Sequence, residues 1–201
     1  MRRVHILAVA VGCAVLMLAA CGGSPAGGIG SSGTSGGAGP STVETNQAGD
    51  IPDNTAYVPF RGSSGRWEVS VPQGWARTSV GNAVVFTDKL NSVRLEDMPA
   101  ATAPTVDSAK ATEIPGIRSS GQGVSLGAVA LVHRKGGDAV QIDYSLDSPP
   151  DSVTGKVVRD AVERYEFFHN GTELVVTLTG PAGADNVDPW RAVTDSVRWL
   201  S

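Results

Sequence analysis

Apolar and polar residues alternate along several stretches of the chain, which is the pattern of β-strands with one buried face. Trp67, Val69 and Val71 are separated by polar residues and lead into a turn over residues 72–75. The same alternation covers residues 83–87, 92–97, 124–133 and 139–146. Polar loops at residues 88–91 and 134–138 separate these stretches, so the pattern predicts successive hairpins.

The clearest turn signal in the chain is Asn170-Gly171. This pair supplies the two positive φ values of a type I′ turn and therefore predicts a hairpin between residues 156–168 and 173–179. The charged residues within 156–168 would also suit a helix. The aromatic run at its end and the turn that follows favour a strand.

The end of the chain has helical spacing. Four apolar residues share one face of a helix predicted over residues 188–200: Trp190, Val193, Val197 and Leu200. Asp188 is expected to cap this helix and Pro189 to take its first position. A shorter helix is predicted over residues 106–113, between Pro104 and Pro115. Antiparallel strands with helices held to one side define an α+β fold.

The first twenty residues have the layout of a secretory signal peptide. Arg2 and Arg3 precede an apolar stretch over residues 4–20, which ends in Leu-Ala-Ala before Cys21. This ending is similar to the bacterial lipobox, which implies cleavage before Cys21 and acylation of its sulfur. Several acyl chains would hold the protein on the extracytoplasmic face of the cell membrane. A plain signal peptide with an incidental Cys21 is the alternative.

Residues 21–56 are predicted to be a lipidated cysteine followed by a flexible tether. They are rich in Gly, Ser, Thr, Pro and Ala and contain almost no large apolar residue. Such a composition cannot bury enough surface to offset the entropy of ordering. Residues 57–201 then form one globular domain, because about 145 residues suffice for a single core.

The mature chain is acidic. Loss of residues 1–20 removes two arginines and no acidic residue, which leaves 14 basic against 20 acidic residues and a formal charge of −6. Nucleic acids and anionic lipid surfaces require basic patches, so this charge argues against both as partners. Cys13 leaves with the signal peptide and Cys21 is acylated, so no thiol remains for a disulfide, a metal or a nucleophile.

The sequence predicts no catalytic, cofactor-binding or metal-binding residues. His133 and His169 are the histidines of the mature chain, and both fall at predicted strand ends, where solvated turn residues are expected rather than catalytic bases. Gly62-Ser63-Ser64-Gly65 does not have the Gly-x-Ser-x-Gly spacing of a nucleophile elbow. Asp143, Asp147 and Asp151 recur every four residues, but two prolines between the last two prevent a helix that would align them.

Aromatic residues supply the only candidate binding surface. If one face of the sheet is partly uncovered, an apolar or glycan ligand would contact Trp75, Tyr144, Tyr165 and Phe167, with Phe168 beside them. Plain core packing is the favoured alternative for these residues.

The stretch Trp67-Glu68-Val69-Ser70-Val71-Pro72-Gln73-Gly74-Trp75 is similar to the opening strand and turn of the PsbP-like fold. Mycobacterial lipoproteins of the LpqN and LpqT type resemble that fold too, and the few lysines beside many arginines are typical of an actinobacterium. The resemblance covers roughly residues 60–201. It implies a curved antiparallel sheet packed by the C-terminal helix and one or two short helices, and a role without chemistry.

The resulting functional prediction is a cell-envelope lipoprotein that acts as a non-enzymatic accessory or binding protein. Its partners would be the membrane, through the acyl chains, and an unknown envelope protein or lipid ligand. The resemblance loosely implies a link to envelope-lipid transport or to host factors. Two alternatives stay open: a lipid or glycan carrier, and a secreted hydrolase with an unrecognised site.

Overall fold

The computed structural model describes residues 47–201, which form two antiparallel sheets and two helices. The strands are β1 (Tyr57–Arg61), β2 (Trp67–Pro72), β3 (Ala76–Val80), β4 (Ala83–Asp88), β5 (Asn91–Pro99), β6 (Gln122–Arg134), β7 (Gly137–Asp147), β8 (Arg159–His169), β9 (Thr172–Pro181) and β10 (Arg198–Trp199). The helices are α1 (Val106–Ser119) and α2 (Val187–Asp195). Neither helix is long and apolar enough to cross a membrane. The predicted α+β fold is confirmed.

Seven strands form the large sheet in the order β3-β4-β5-β9-β8-β7-β6. The hairpin predicted at Asn170-Gly171 is present: the two residues have φ values of 45° and 76°, and His169 pairs with Thr172. Residues 159–169 are therefore a strand and not the alternative helix. This hairpin places β8 and β9 at the centre of the sheet, where both faces can be covered.

The main core lies between the large sheet and a small sheet of order β1-β2-β10. The predicted alternation of β2 is confirmed, because Trp67, Val69 and Val71 are all buried. They pack against large-sheet residues that include Phe167 and Leu174. Burial of each such side chain contributes roughly 1.5–3 kcal/mol, so this interface supplies most of the driving force for folding.

Helix α1 is six residues longer than predicted. Its N-terminus has a capping box, in which Thr105 and Ser108 each accept a hydrogen bond from the backbone N–H of the other. Pro115 lies inside the helix instead of ending it. The helix continues past the proline because Ile114 and Ile117 are buried against Val140 and other residues of β6 and β7. Burial of these two isoleucines offsets the lost backbone hydrogen bond.

Helix α2 is shorter than predicted, and its capping differs too. The N-cap residue is Asn186 rather than Asp188, and its side chain makes no capping bond. The helix ends at Asp195, where the Ser196 hydroxyl donates to the Val193 carbonyl (2.6 Å) and accepts from the Ser70 amide (2.8 Å). The predicted helical residues after this point pair with β2 as β10 instead.

Residues 47–56, named here the N-terminal strap, were predicted to belong to the tether but pack on the folded domain. Ile51 is 5% exposed and belongs to the main core. Its amide donates to Asn186 Oδ1 at 2.8 Å, across 135 residues of sequence. The signal peptide, Cys21 and the rest of the predicted tether lie outside the described residues.

Candidate functional site

The structure does not form the predicted aromatic surface. Tyr165 and Phe167 are 2% and 0% exposed and stack in the main core, with ring centroids 6.3 Å apart. Tyr144 packs in the second core cluster, beneath α1. Odd and even residues of a strand face opposite sides of the sheet, so Tyr144 and Tyr165 could not share a surface in this register. Trp75 and Tyr144 are both partly exposed, but Trp75 packs against the main core and Tyr144 against the second cluster.

Trp75 lines a depression of about 260 Å³, named here the Trp75 pocket. Its other walls are residues 47–52 of the strap and the β4–β5 turn with Asp88, Lys89 and Asn91. Trp75 follows the turn predicted after β2, and Lys89 takes a left-handed φ of 50° at the tip of the β4–β5 hairpin. The β2–β3 connection, the β4–β5 turn and the strap thus meet around one indole ring.

Side-chain amides fix the strap wall of the pocket. Asn91 Nδ2 and Asn186 Nδ2 both donate to the Gly49 carbonyl, at 2.8 and 3.1 Å. Asn186 Nδ2 also donates to Asn91 Oδ1 at 3.0 Å. Asp50 accepts from the amides of Gln47 and Asp185. Because buried polar groups are costly to leave unsatisfied, this network holds residues 47–51 in one position.

The mouth of the pocket carries two charged groups that are free to meet a ligand. Within residues 47–201, neither the Asp88 carboxylate nor the Lys89 ammonium has a hydrogen-bond or ion-pair partner. Asn91 and Asp50, by contrast, are satisfied by the strap. The arrangement offers one aromatic face, one anion and one cation at the edge of a small enclosure, which can orient a polar ligand.

A partly buried polar network lies between the large sheet and α2, away from the Trp75 pocket. Arg134 donates to the Tyr165 hydroxyl at 2.9 Å, and that hydroxyl donates to Glu163 Oε2 at 2.7 Å. Arg134 also donates to Thr194, on α2. Burial, followed by the bond and the charge of Glu163, raises the pKa of Tyr165. Every named group has a partner, so the network connects α2 to the sheet.

A second set of charges links α1 to the opposite face of the sheet. Arg164 forms ion pairs with Glu113 at 3.1 Å and with Glu166 at 2.9 Å. Burial raises the pKa of Glu166, whose side chain is 2% exposed, despite the opposing effect of Arg164. Burial likewise raises the pKa of Glu173 and of Glu163. These carboxyls are all destabilised in their charged form.

These raised pKa values predict that the domain gains stability as the pH falls from neutral towards the ordinary value of these carboxyls. A carboxyl whose pKa is raised in the fold binds a proton there at pH values where the unfolded chain has lost it, so its contribution falls as the pH rises through the folded pKa. The ordinary value for Glu166 is 4.5, which sets the lower end of this window. The measurement is the urea midpoint at each pH.

Glu166→Gln is expected to flatten this pH dependence. Glu96→Gln is the matched control, because Glu96 pairs with Arg94 two residues away, as Glu166 pairs with Arg164, but is 26% exposed. An equal flattening by both variants would show that burial of Glu166 is not the cause.

The structure places the remaining sequence candidates in solvated or structural roles. His133 lies next to Asp138 at 2.8 Å on an exposed hairpin, and the His169 ring stacks on Trp199. Asp147 pairs with Arg159 at 3.0 Å. Asp151 accepts from the amides of residues 153 and 154, and these bonds lower its pKa. Within residues 47–201, no group of three His, Cys, Asp or Glu side chains is placed to hold a metal ion.

The sequence hypothesis named Trp75 as a candidate but named none of the other residues that line this pocket. Residues 47–52 were expected in the tether because their composition is that of the residues before them. The bonds that fix them come from Asn91 and Asn186, at separations of 42 and 137 residues from Gly49. Ile51, a large apolar residue followed by proline, was the one available signal for a packed strap.

No protein-family model and no curated protein sequence matches the chain. Several solved structures do match the chain. The solution structure of cyanobacterial PsbP (CyanoP) from Synechocystis matches with a TM-score of 0.51 and 15% identity, over 76% of this chain and 98% of that one. LpqN of Mycobacterium tuberculosis, described as involved in cell envelope biogenesis, matches with a TM-score of 0.42 and 15% identity, over 74% and 93%.

The Saccharomyces cerevisiae Ran-binding protein Mog1p matches with a TM-score of 0.48 and 7% identity, over 72% of this chain and 95% of that one. The chain spans 48% of the length of a Bacteroides thetaiotaomicron protein that matches with a TM-score of 0.48 and 11% identity, over 71% of this chain. The likeness to CyanoP concerns the fold. The described domain therefore has the PsbP-like α+β fold that the Trp67–Trp75 stretch predicts.

Proposed function

We propose that this protein is a cell-envelope lipoprotein, anchored through acyl chains on Cys21, whose domain binds a partner or ligand on the extracytoplasmic face without chemistry of its own. The Leu-Ala-Ala-Cys21 motif after an apolar stretch supports the anchor. The proposal includes an actinobacterial origin of the LpqN or LpqT type, which rests on composition and on the lipobox.

The Trp75 pocket is the observation that carries the binding role. At this pocket a partly exposed indole lies beside a carboxylate and an ammonium that have no partner within residues 47–201, and together they line a concave site that suits a small polar ligand. The pocket is also built from the strap, which leads back towards Cys21. A ligand bound there would sit on the side of the domain from which the chain runs to the membrane.

The geometry gives less support to the two alternatives. A lipid carrier needs an apolar cavity of roughly 300 Å³ or more. The larger depression beside Arg77 and Ser79, about 490 Å³, is lined mainly by polar residues, and both clusters beneath the helices are packed. A hydrolase needs a base beside a nucleophile, whereas His133 and His169 contact Asp138 and Trp199.

Photo-crosslinking in intact envelopes tests the binding role. A photoreactive residue replaces Leu90, which is exposed and lies between the pocket residues Lys89 and Asn91. We expect discrete adducts after irradiation and their loss when Trp75→Ala is added. The same residue at Val153, 90% exposed on another loop, is the matched control and should give none.

Two outcomes would contradict the proposal. If the adducts form at full yield in the Trp75→Ala variant, the partner does not bind at the Trp75 pocket. Turnover of ester, glycoside or peptide substrates that disappears in a His133→Ala or His169→Ala variant would make the protein an enzyme.

A further inference from the structure

The outer edge of β6 is long, uncharged and unoccupied by any other strand among residues 47–201. The strand runs for thirteen residues, and no charged residue occurs between Gln122 and His133. Its residues are largely exposed, and Leu131 is 61% exposed. An open edge of this kind presents free backbone donors and acceptors, whose natural complement is another strand.

The register identifies which residues of β6 direct these groups outwards. Along an antiparallel pair, residues that exchange hydrogen bonds with the partner alternate with residues that point the same groups away. His169 and Thr172 close the two-residue turn as a hydrogen-bonded pair. Counting back along β8 from His169, every second residue also bonds to β9, and the residues between them direct their backbone groups towards β7. Glu166 is one of these, and it pairs there with Val140.

The same alternation then carries across β7. Val140 bonds to β8, so Ala139 bonds to β6, where its partner is Val132. Val132 and Ala130 therefore face β7, while Val129, Leu131 and His133 direct their N–H and C=O groups to the open edge. The His133 carbonyl accepts a bond from Arg134 at 3.1 Å and retains a second lone pair.

Two features limit where a strand can add to the large sheet. Register shifts between Gln122 and Ser125 and between Leu126 and Val129 interrupt the first half of β6. Such bulges protect an edge from pairing. The opposite edge, β3, has five residues and a central Arg77–Thr78 pair of polar residues. The regular stretch from Val129 to His133 is thus the accessible template.

We propose that two copies of this chain pair antiparallel through β6, with Leu131 opposite Leu131 of the second copy. An antiparallel arrangement about Leu131 is two-fold symmetric, so each outward N–H meets an outward C=O. Val129 then lies opposite His133, and no charged side chain meets a like charge. The pairing uses up both open β6 edges, so it closes as a dimer and does not extend into a fibre.

Confinement to the membrane makes this small interface effective. Five residues a side bury less than the roughly 1,000 Å² that a specific stable interface needs. Two domains on one membrane have a much higher effective concentration than in solution. The inference rests on the proposed anchor only for this rise in effective concentration. The pairing register does not depend on the anchor.

Disulfide crosslinking of the full-length protein in its membrane tests the register. Directly opposite residues of a hydrogen-bonded pair have Cα atoms about 5.5 Å apart, within the range of a disulfide. Leu131→Cys should give a crosslinked dimer on mild oxidation, about tenfold or more above Ser79→Cys on the β3 edge, which is the matched control. Adding His133→Pro should abolish the dimer, because proline removes an outward N–H that the sheet itself does not use.

A urea midpoint like that of the wild type confirms that each variant folds. Equal crosslinking of Leu131→Cys and Ser79→Cys would overturn the proposal, as would a dimer that His133→Pro leaves unchanged. If Leu131→Cys gives the dimer only when the purified protein is concentrated, and the protein does not fractionate with membranes, the register stands and the proposed anchor fails.

Discussion

Phe167→Ala is expected to lower the free energy of unfolding by about 3–5 kcal/mol, the usual cost of removing a fully buried phenylalanine. Phe167 is completely buried at the centre of the main core, where it stacks on Tyr165 and pairs with Ala139 and Leu174 on the neighbouring strands. A stability of 5–15 kcal/mol is normal for a domain, so the loss is a large fraction of the total.

Phe168→Ala is the matched control for this change. Phe168 is the next residue of the same strand, points to the other face and is only half-buried. Its removal should cost clearly less in urea-induced unfolding. If the two substitutions cost the same, Phe167 belongs to an accessible surface, as the aromatic-surface hypothesis had it, and the core is placed wrongly.

Cys21→Ala is expected to abolish the processed, membrane-held form of the protein. Each buried acyl methylene contributes about 0.8 kcal/mol, and two or more chains make anchoring stable where one is marginal. Without the thiol no chain can be attached. The measurement is the fraction of processed protein that stays with membranes after a high-salt wash.

Cys13→Ala provides the control for Cys21→Ala. It removes the other cysteine of the chain, which lies in the segment that cleavage would discard. Processing and membrane retention should be unchanged. Processed Cys21→Ala protein that remains tightly bound to membranes would remove the basis for the anchor.

Local patterns were sufficient to predict most of the fold. The alternation of Trp67, Val69 and Val71 places one face of β2 in the core, and Asn170-Gly171 determines its hairpin because few other residue pairs accept two positive φ values. In these elements burial and turn chemistry both act within a few residues. A single sequence therefore contains the information that determines them.

Elements that depend on distant partners were not predictable in this way. Strand β3 has no buried residue, so it shows no apolar alternation and exists through its pairing with β4. The residues after Asp195 keep helical spacing, yet Ser196 ends the helix and residues 198–199 pair with β2. Here a long-range hydrogen-bonding partner overrides the local periodicity.

The candidate site shows the same difference between local patterns and long-range contacts. Trp75 was identified because a tryptophan after a predicted turn is conspicuous, whereas Tyr165 and Phe167 were grouped with it although their strand register buries them. The strap could not be predicted, since Asn186 and Asn91 hold it through bonds across more than 40 residues. Single polar residues that act at such distances leave no periodic pattern in the sequence.

The mass of the N-terminal peptide tests the central claim, which is that acyl chains on Cys21 hold this binding domain at the envelope. Protein extracted from membranes and digested with trypsin should yield a peptide that begins at Cys21 and ends at Arg61, the first basic residue after it. Its mass should exceed that of the unmodified peptide by a diacylglyceryl group, with or without a further acyl chain. A peptide with an unmodified Cys21, or one that still contains Ala20, would contradict the account.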